Sequence, residues 1–255
     1  MGKLDGRVGL ITGTATGIGA AGAKLFASEG AALVTLDVND ELGRETVAEI
    51  ERAGGRAVFL RGDVSRDADV RHAVETAVAS FGKLDLLWSN AGIGVWKTVP
   101  ETTDEEWERI VGVNLKGTFL VGKHGIPELV RAGGGTMVVT ASVSSFVASR
   151  KWAAYCATKG AVLMLARSMA LDHAAEGVRV NCVCPGSVDT PLQTEDLRRR
   201  DAAFDEAKRE DEAAHPLGRF ATPDEVARSA LFLSCDDSSF TTGSALVVDG
   251  GLTAQ

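Results

Sequence analysis

Short apolar runs alternate with longer stretches of helical periodicity along most of this chain, the pattern of a parallel sheet whose strands are joined by crossover helices. Arg7 to Thr12 reads as a buried strand and Gly17 to Glu29 as a small-residue helix. The alternation continues with strands over Ala32 to Asp37 and Arg56 to Arg61, separated by a polar helix from Asp40 to Ala53 that ends at Gly54 and Gly55. Val70, Val74, Ala77 and Val78 recur at helical spacing within Asp67 to Phe81, and Gly82 supplies a stop. Leu84 to Ser89, Gly135 to Ala141 and Val178 to Cys184 read as further strands, and Ala153 to Ala174 as a long helix. Between them, Thr103 to Arg131 is helical in pattern but carries Gly112, Gly117, Gly122, Gly125 and Pro127, which predicts a bent or broken helix. After Pro185 and Gly186 the texture becomes charged, from Gln193 to Glu212, before a helix over Pro223 to Leu233 and a last strand over Ala245 to Val248. Arg198, Arg199 and Arg200 in that stretch are flanked by Glu195, Asp196, Asp201 and Asp205, so it reads as a solvated helix or mobile lid rather than an anion patch. No composition break marks a second domain.

Composition narrows the function classes. The 255 residues are 45% apolar and 24% charged, typical of a globular domain with a sizeable core. A net charge of −8 argues against a nucleic-acid partner, because affinity for a phosphate backbone rests on Lys and Arg. Cys156, Cys182, Cys184 and Cys235 form no CxxC pair and stand apart from His72, His124, His173 and His215, so neither a metal site nor a disulfide framework is expected. No apolar run reaches the roughly 20 residues of a membrane span. Lys3, Asp5 and Arg7 break up any signal-peptide core, and Gly6 replaces the Ser or Thr of a myristoylation signal. A reduced, cytoplasmic protein is the expectation.

The run Thr12-Gly13-Thr14-Ala15-Thr16-Gly17-Ile18-Gly19 falls between a predicted strand and a predicted helix. A glycine-rich turn there lets backbone N–H groups and the positive helix end approach a pyrophosphate with no side chain in the way. Asp37 closes the second strand, where a carboxylate accepts hydrogen bonds from ribose hydroxyls. It also bears on which dinucleotide is bound. A 2′-phosphate would meet its charge with a repulsion of roughly 4 kcal/mol at ~4 Å and an effective dielectric near ~20. With Val38 next to it and no base in the turn, NAD(H) is expected over NADP(H) by on the order of 100-fold, about 2.7 kcal/mol.

Tyr155 and Lys159 are four apart in a predicted helix and so share a face, and Ser142 lies at the carboxyl end of a strand, where open α/β sheets bind ligands. A phenol beside an ammonium has its pKa lowered toward working pH, which suits general acid–base chemistry, and the serine hydroxyl would hold the substrate oxygen.

These motifs, with Asp63-Val64, Asn90-Ala91-Gly92, Asn114, Pro185-Gly186 and Asp249-Gly250-Gly251, give the chain a clear resemblance to the short-chain dehydrogenase/reductase family from Lys3 to Leu252. The resemblance implies one Rossmann-type doubly wound α/β domain over residues 1–255. Its seven-stranded, mostly parallel sheet would run in the order 3-2-1-4-5-6-7 with helices on both faces, and a substrate lid would occupy about 188–220. It implies Tyr155 as acid–base, Ser142 as the group that orients the carbonyl or alcohol, Lys159 on Tyr155 and the nicotinamide ribose, and Asn114 on a proton-relay water. It also implies cofactor contacts from Gly13, Thr16, Gly17, Ile18 and Gly19, adenine contacts from Asp63 and Val64, and ribose contacts near Asn90, Ala91 and Gly92. Pro185, Gly186, Val188 and Thr190 would border the nicotinamide. For Asn90-Ala91-Gly92, a turn that merely supports the sheet is an equal alternative.

Position in the chain places Ile93, Gly94, Trp96, Ser144, Phe146, Trp152, Ser187, Val188 and the 193–220 segment at the substrate. They are mostly apolar or hydroxyl-bearing, so a neutral secondary alcohol or ketone is expected: a cyclic alcohol, steroid or sugar. A 3-oxoacyl-carrier-protein reductase is the rival within the family, and its usual NADPH fits Asp37 poorly. A dinucleotide-binding regulator without turnover would have no use for a tuned phenol. A (β/α)₈ barrel fits the length but not a dinucleotide turn directly after the first strand. The resemblance also implies a homo-oligomer, a tetramer or a dimer, and apolar residues on more than one face of the Ala153 to Ala174 helix are in keeping with one.

Overall fold

The computed structural model describes residues 2–200 and 202–255, so Met1 and Asp201 of the charged stretch lie outside the described residues. Strands β1 (Val8–Thr12), β2 (Ala32–Asp37), β3 (Arg56–Arg61), β4 (Leu86–Ser89), β5 (Gly135–Thr140), β6 (Val178–Pro185) and β7 (Ala245–Val248) form one sheet in the order β3-β2-β1-β4-β5-β6-β7. Every neighbouring pair is parallel, and Leu10 of β1 lies level with Val34 of β2 and Leu87 of β4. The fold is the doubly wound one implied above.

Successive strand residues feed opposite cores, as the period of two requires. Leu10, Val34 and Val139 pack on one face with Val70 and Val74 of α3 (Asp67–Phe81), Val121 of the helix over Gly117–Arg131 and Val162 of the helix over Ala153–His173. Ile11, Leu33 and Val138 pack on the other with Phe26 of α1 (Gly17–Ser28), Ile50 of α2 (Asp40–Arg52) and Val226 of the helix over Pro223–Ser234. Both faces are therefore dry, which is why the strands read as continuous apolar runs. Ends are set by local chemistry: the Asn39 side chain accepts from Leu42 N at the start of α2, and Gly82 closes α3 in the left-handed region.

The expected break between Thr103 and Arg131 takes an unexpected form. Helix α4 (Asp104–Ile110) runs through a π turn at Val111–Lys116 into α5 (Gly117–Arg131), with Pro127 inside α5. The glycines here are seats for neighbours rather than breaks. A Cβ on Gly117, Gly122 or Gly125 would come within 2.9 Å of Val64, 2.7 Å of Met169 and 2.5 Å of Leu87 respectively. The π turn carries Asn114.

After β6 and α6 (Ala153–His173), the charged stretch also departs from expectation. It forms two helices, α7 (Pro191–Arg198) and α8 (Phe204–Ala214), clamped by Arg200, whose guanidinium reaches Asp196 at 2.5 Å and Asp211 at 2.6 Å. Asp196 is 3% exposed, so this stretch is not simply solvated. The excursion leaves and rejoins the body at a single clasp: Val188 pairs with Ala221, Ala221 N donates to Ser187 O at 3.0 Å, and Asp189 N donates to Ala221 O at 2.9 Å. Helix α9 (Pro223–Ser234) follows at once, capped by Thr222 and Glu225.

Candidate active site

A cleft of about 860 Å³ opens at the carboxyl ends of the strands, in the upper range of ligand clefts. One end is lined by Gly13, Thr16, Gly17, Ile18 and Asp37, and the other by Trp96, Ser142, Ser144, Trp152, Tyr155 and Ser187. Asn90, Ala91, Gly92, Lys159, Pro185, Gly186, Val188 and Thr190 line the cleft too. Most of the residues singled out from the sequence therefore share one space.

The glycine turn is shaped by backbone. Gly13 and Gly17 have positive φ, and a Cβ on Gly19 would stand 1.9 Å from the Gly13 carbonyl oxygen. Gly19 thus closes the turn from behind and does not line the cleft. Asp37 is held by two donors, Ala15 N and Asn39 N, each at 2.9 Å. Its carboxylate is fixed between the turn and the start of α2. Thr12 and Asn90 tie the turn to the sheet: Thr12 Oγ1 accepts from Asn90 N at 3.0 Å and Ala91 N at 3.1 Å, while Asn90 Nδ2 donates to Thr12 O and Gly13 O. Asn90 Oδ1 accepts from Thr140 Oγ1 at 3.0 Å. The supporting role and a place on the cleft wall coexist at Asn90. The turn also holds a buried hydroxyl, Thr14 Oγ1, with no partner among the described residues. A cradle closed to any Cβ, a helix N-terminus and a fixed carboxylate suit a dinucleotide.

At the other end, Ser142 leaves β5 as the cap of a short turn, its Oγ accepting from Ser144 N at 3.1 Å. Tyr155 and Lys159 rise from the first turns of α6 and are both buried. Lys159 Nζ donates to Thr140 O at 2.7 Å and stands 5.5 Å from the Tyr155 ring centre. The expected lowering of the Tyr155 pKa by Lys159 does not hold in the field of the protein's own groups. Burial pushes the phenol up to about 12 despite the neighbouring Ser142 hydroxyl, and the same burial pulls Lys159 down to about 8. Desolvation is the leading cause at both groups.

Asn114 stands behind this wall rather than on it. Its Oδ1 accepts from Ile93 N at 2.9 Å, and its Nδ2 donates to Ile93 O at 3.0 Å and Thr158 Oγ1 at 3.1 Å. Asp63 and Val64 also lie off the cleft: Asp63 Oδ1 accepts from Ser65 N at 2.8 Å, and Val64 is buried against Gly117. Phe146 is half exposed outside the wall. Ile93 and Gly94 do not line it either, but Gly94 makes room for the Trp96 ring, from which a Cβ would be 2.7 Å away.

Of the 193–220 segment expected at the substrate, the α7–α8 excursion brings Gln193, Asp196, Arg199 and Asp211 to the cleft, side chains that sequence reasoning did not single out for that place. His215 of the same segment lines it too, buried with Nδ1 toward Asp211 O at 2.7 Å and Nε2 accepting from Ser187 N at 3.2 Å. No local pattern marks these residues, since they matter only once the excursion folds back. Among the described residues no cluster of His, Cys, Asp and Glu is arranged for a metal ion, and no helix is long and apolar enough to cross a membrane.

Comparison with known proteins agrees with this architecture. Residues 13–253 match the profile of a family described as enoyl-(acyl carrier protein) reductase. The chain is 41% identical over 255 residues to cyclopentanol dehydrogenase of Comamonas testosteroni, covering 100% of both. It is 39% identical over 254 residues to cyclohexanol dehydrogenase of an Acinetobacter species, covering 99% of this chain and 97% of the other. A crystal structure from Burkholderia xenovorans, described as a short-chain dehydrogenase/reductase, superposes with a TM-score of 0.96 at 31% identity over 100% of this chain and 99% of that one. Fold, glycine turn and Ser–Tyr–Lys geometry lead with these matches to one conclusion: the chain belongs to the short-chain dehydrogenase/reductase family.

Proposed function

We propose that the protein is an NAD(H)-dependent oxidoreductase that interconverts a neutral secondary alcohol, in the first instance an alicyclic one, and its ketone. The observation that carries this reading is the burial of Ser142, Tyr155 and Lys159 at the strand ends in the same cleft as the glycine turn and Asp37. The turn, Asp37 and the Pro185–Thr190 segment would hold the dinucleotide. When bound, its oxidised nicotinamide supplies the hydride acceptor and a positive charge near the phenol.

The chain's own groups handle the proton. Ser142 would position the substrate oxygen, and Tyr155 Oη, as the phenolate, would take the hydroxyl proton in oxidation and, as the phenol, return it in reduction. Lys159, held by Thr140 O, keeps a donor beside the ring. Asn114 stiffens the backbone at Ile93, next to Ala91 and Gly92 of the cleft wall. Trp96 and Trp152, in edge contact at 5.6 Å, offer flat apolar surfaces to a ring, and the Trp96 indole N–H has no partner among the described residues. The charged groups that the excursion brings to the cleft, Asp196, Arg199, Arg200 and Asp211, are ion-paired within it, which favours a neutral substrate. The relatives named for cyclopentanol and cyclohexanol support the same class.

The test is a screen of cyclic alcohols and ketones followed by NADH absorbance. Turnover of a cyclic alcohol with NAD is the expected outcome. Tight NADH binding with no turnover across the set would favour a dinucleotide-binding regulator instead. A tetramer is the expected assembly, supported by exposed Phe119, Met164 and Leu171 on the outer faces of α5 and α6. Sedimentation as a monomer at micromolar concentration would reject it.

A further inference from the structure

Just past the last pairing of β6 with β7, at Pro185 and Val248, one main-chain donor is served by a side chain. Gly186 N still donates to Val248 O at 3.0 Å, and Asp189 N donates to Ala221 O at 2.9 Å. Between them Ser187 N donates to Nε2 of His215 at 3.2 Å. This ring comes from the far end of the excursion. His215 caps α8 and turns its own N–H to Glu212 O, which leaves Asp211 O among the orphan carbonyls of a helix end. His215 Nδ1 covers that carbonyl at 2.7 Å. An amide nitrogen only donates and a carbonyl only accepts, so the ring proton sits on Nδ1 and Nε2 presents its lone pair. The residue is 3% exposed, and Gly186 makes way for it: a Cβ there would stand 3.0 Å from Nε2 and 3.1 Å from Asp249 Cα.

A water molecule would satisfy Ser187 N nearly as well. What a water lacks is a second, fixed attachment. The same imidazole is tied to α8, whose Asp211 is held by both guanidinium arms of Arg200, at 2.6 and 2.8 Å. Ser187, Val188 and Thr190, the residues that follow Gly186, all line the cleft. We propose that His215 is a positioning residue for the nicotinamide half of the dinucleotide: its Nε2 fixes Ser187 N and the segment running to Thr190, while Asp211 O keeps the ring in the one tautomer that can accept. The assignment rests on the reading that Pro185–Thr190 borders the nicotinamide. A different excursion would preserve this seat only with an acceptor in the same place.

Two conservative changes divide the ring's two bonds. His215→Asn puts an amide N–H where Nδ1 stands and can keep Asp211 O, but it falls short of Ser187 N. His215→Gln reaches as far as Nε2 and can return an acceptor to Ser187 N. Titrated calorimetrically with NADH and with ADP-ribose, which lacks the nicotinamide, His215→Asn is expected to bind NADH about 10-fold more weakly and ADP-ribose within about 2-fold of the parent. His215→Gln should hold both ligands within about 3-fold. With no ligand present, deuterium exchange over residues 186–189 should speed in His215→Asn and stay near the parent in His215→Gln. If His215 only holds the excursion, NADH and ADP-ribose will shift together or not at all in His215→Asn, and the proposal falls. It falls also if His215→Gln loses NADH as His215→Asn is expected to, a result that decides the matter even where His215→Asn does not fold. A parent protein that binds neither ligand would remove the dinucleotide and this proposal together. Binding needs no turnover, so an enzyme inert to every alcohol would defeat the functional reading and leave this result standing.

Discussion

The two ends of the cleft are made of different material. At the nucleotide end the working parts are backbone: a turn with no room for a Cβ at Gly13 or Gly19, the start of α1, and one carboxylate pinned by two main-chain N–H groups. At the alcohol end they are side chains: indoles in edge contact, a buried phenol and lysine, and ion pairs that join α7 and α8. Backbone geometry leaves little to vary while the ligand stays the same. Side-chain walls can be recut for each substrate, so the chemistry is general at one end and particular at the other.

Variants should respect that division, and the largest effect belongs where the two ends meet. Tyr155→Phe is expected to lower turnover by about 10² to 10⁴ while NADH binding, followed by fluorescence, stays near normal. Near-normal activity in this variant would remove the assigned acid–base group. Asp37→Ala should act on the nucleotide end alone. The expected preference for NAD over NADP of about 100-fold should fall below about 10-fold, with the KM for the alcohol unchanged. Equal specificity constants for the two cofactors in the unaltered enzyme would contradict the role given to Asp37.

Lys159 tests the junction through stability. Because burial pulls its pKa down to about 8 from a usual 10.5, the unfolded chain holds this proton more tightly than the folded one. The group therefore costs stability below about pH 8, and the cost fades as pH rises through 8 toward 10.5. Lys159→Met should melt higher than the parent at pH 7, on the order of 5 °C, with the gap closing by pH 10 and turnover lost. Tyr155 has the opposite sign, its raised pKa withdrawing stability only above about pH 10 as the unfolded phenol ionises first. A melt of Lys159→Met at pH 7 no higher than the parent would show that the buried charge costs little. The smallest effect is expected at the far wall. Arg199→Ala removes a cation resting on Trp96, a contact of roughly 0.5–2 kcal/mol, and should raise the KM for the alcohol a few-fold with that for NAD unmoved. An equal rise for both would blur the division between the ends.

The same contrast governs what the sequence discloses. Strands Ala32–Asp37, Arg56–Arg61 and Ala245–Val248 and helix Asp67–Phe81 coincide with their predicted limits, because short apolar runs and glycine stops are local signals. Motif residues whose task is backbone shape, such as Gly13 and Gly17, fall where the pattern puts them. Gly117, Gly122 and Gly125 mislead, since a glycine that admits Val64, Met169 or Leu87 is written no differently from one that ends a helix. Asp196 and Asp211 mislead in the same way: mixed charge looks solvated until Arg200 draws the pair inward. Tyr155 and Lys159 were legible as a pair, but not the sign of the field around them, which depends on burial that no spacing reveals.

The clasp between Val188 and Ala221 gives the alcohol end a further property. Because the excursion departs and returns at one paired point, its ends are held together by that isolated bridge and its two backbone hydrogen bonds. Doubling the length of such a loop adds only about 0.6 kcal/mol of closure entropy. Residues 193–220 are in this sense a cartridge: a replacement cut from a relative inside the same clasp, with Pro185–Thr190 kept, would arrive with its own wall and meet an unaltered nucleotide floor, so selectivity for the alcohol can be exchanged in one piece.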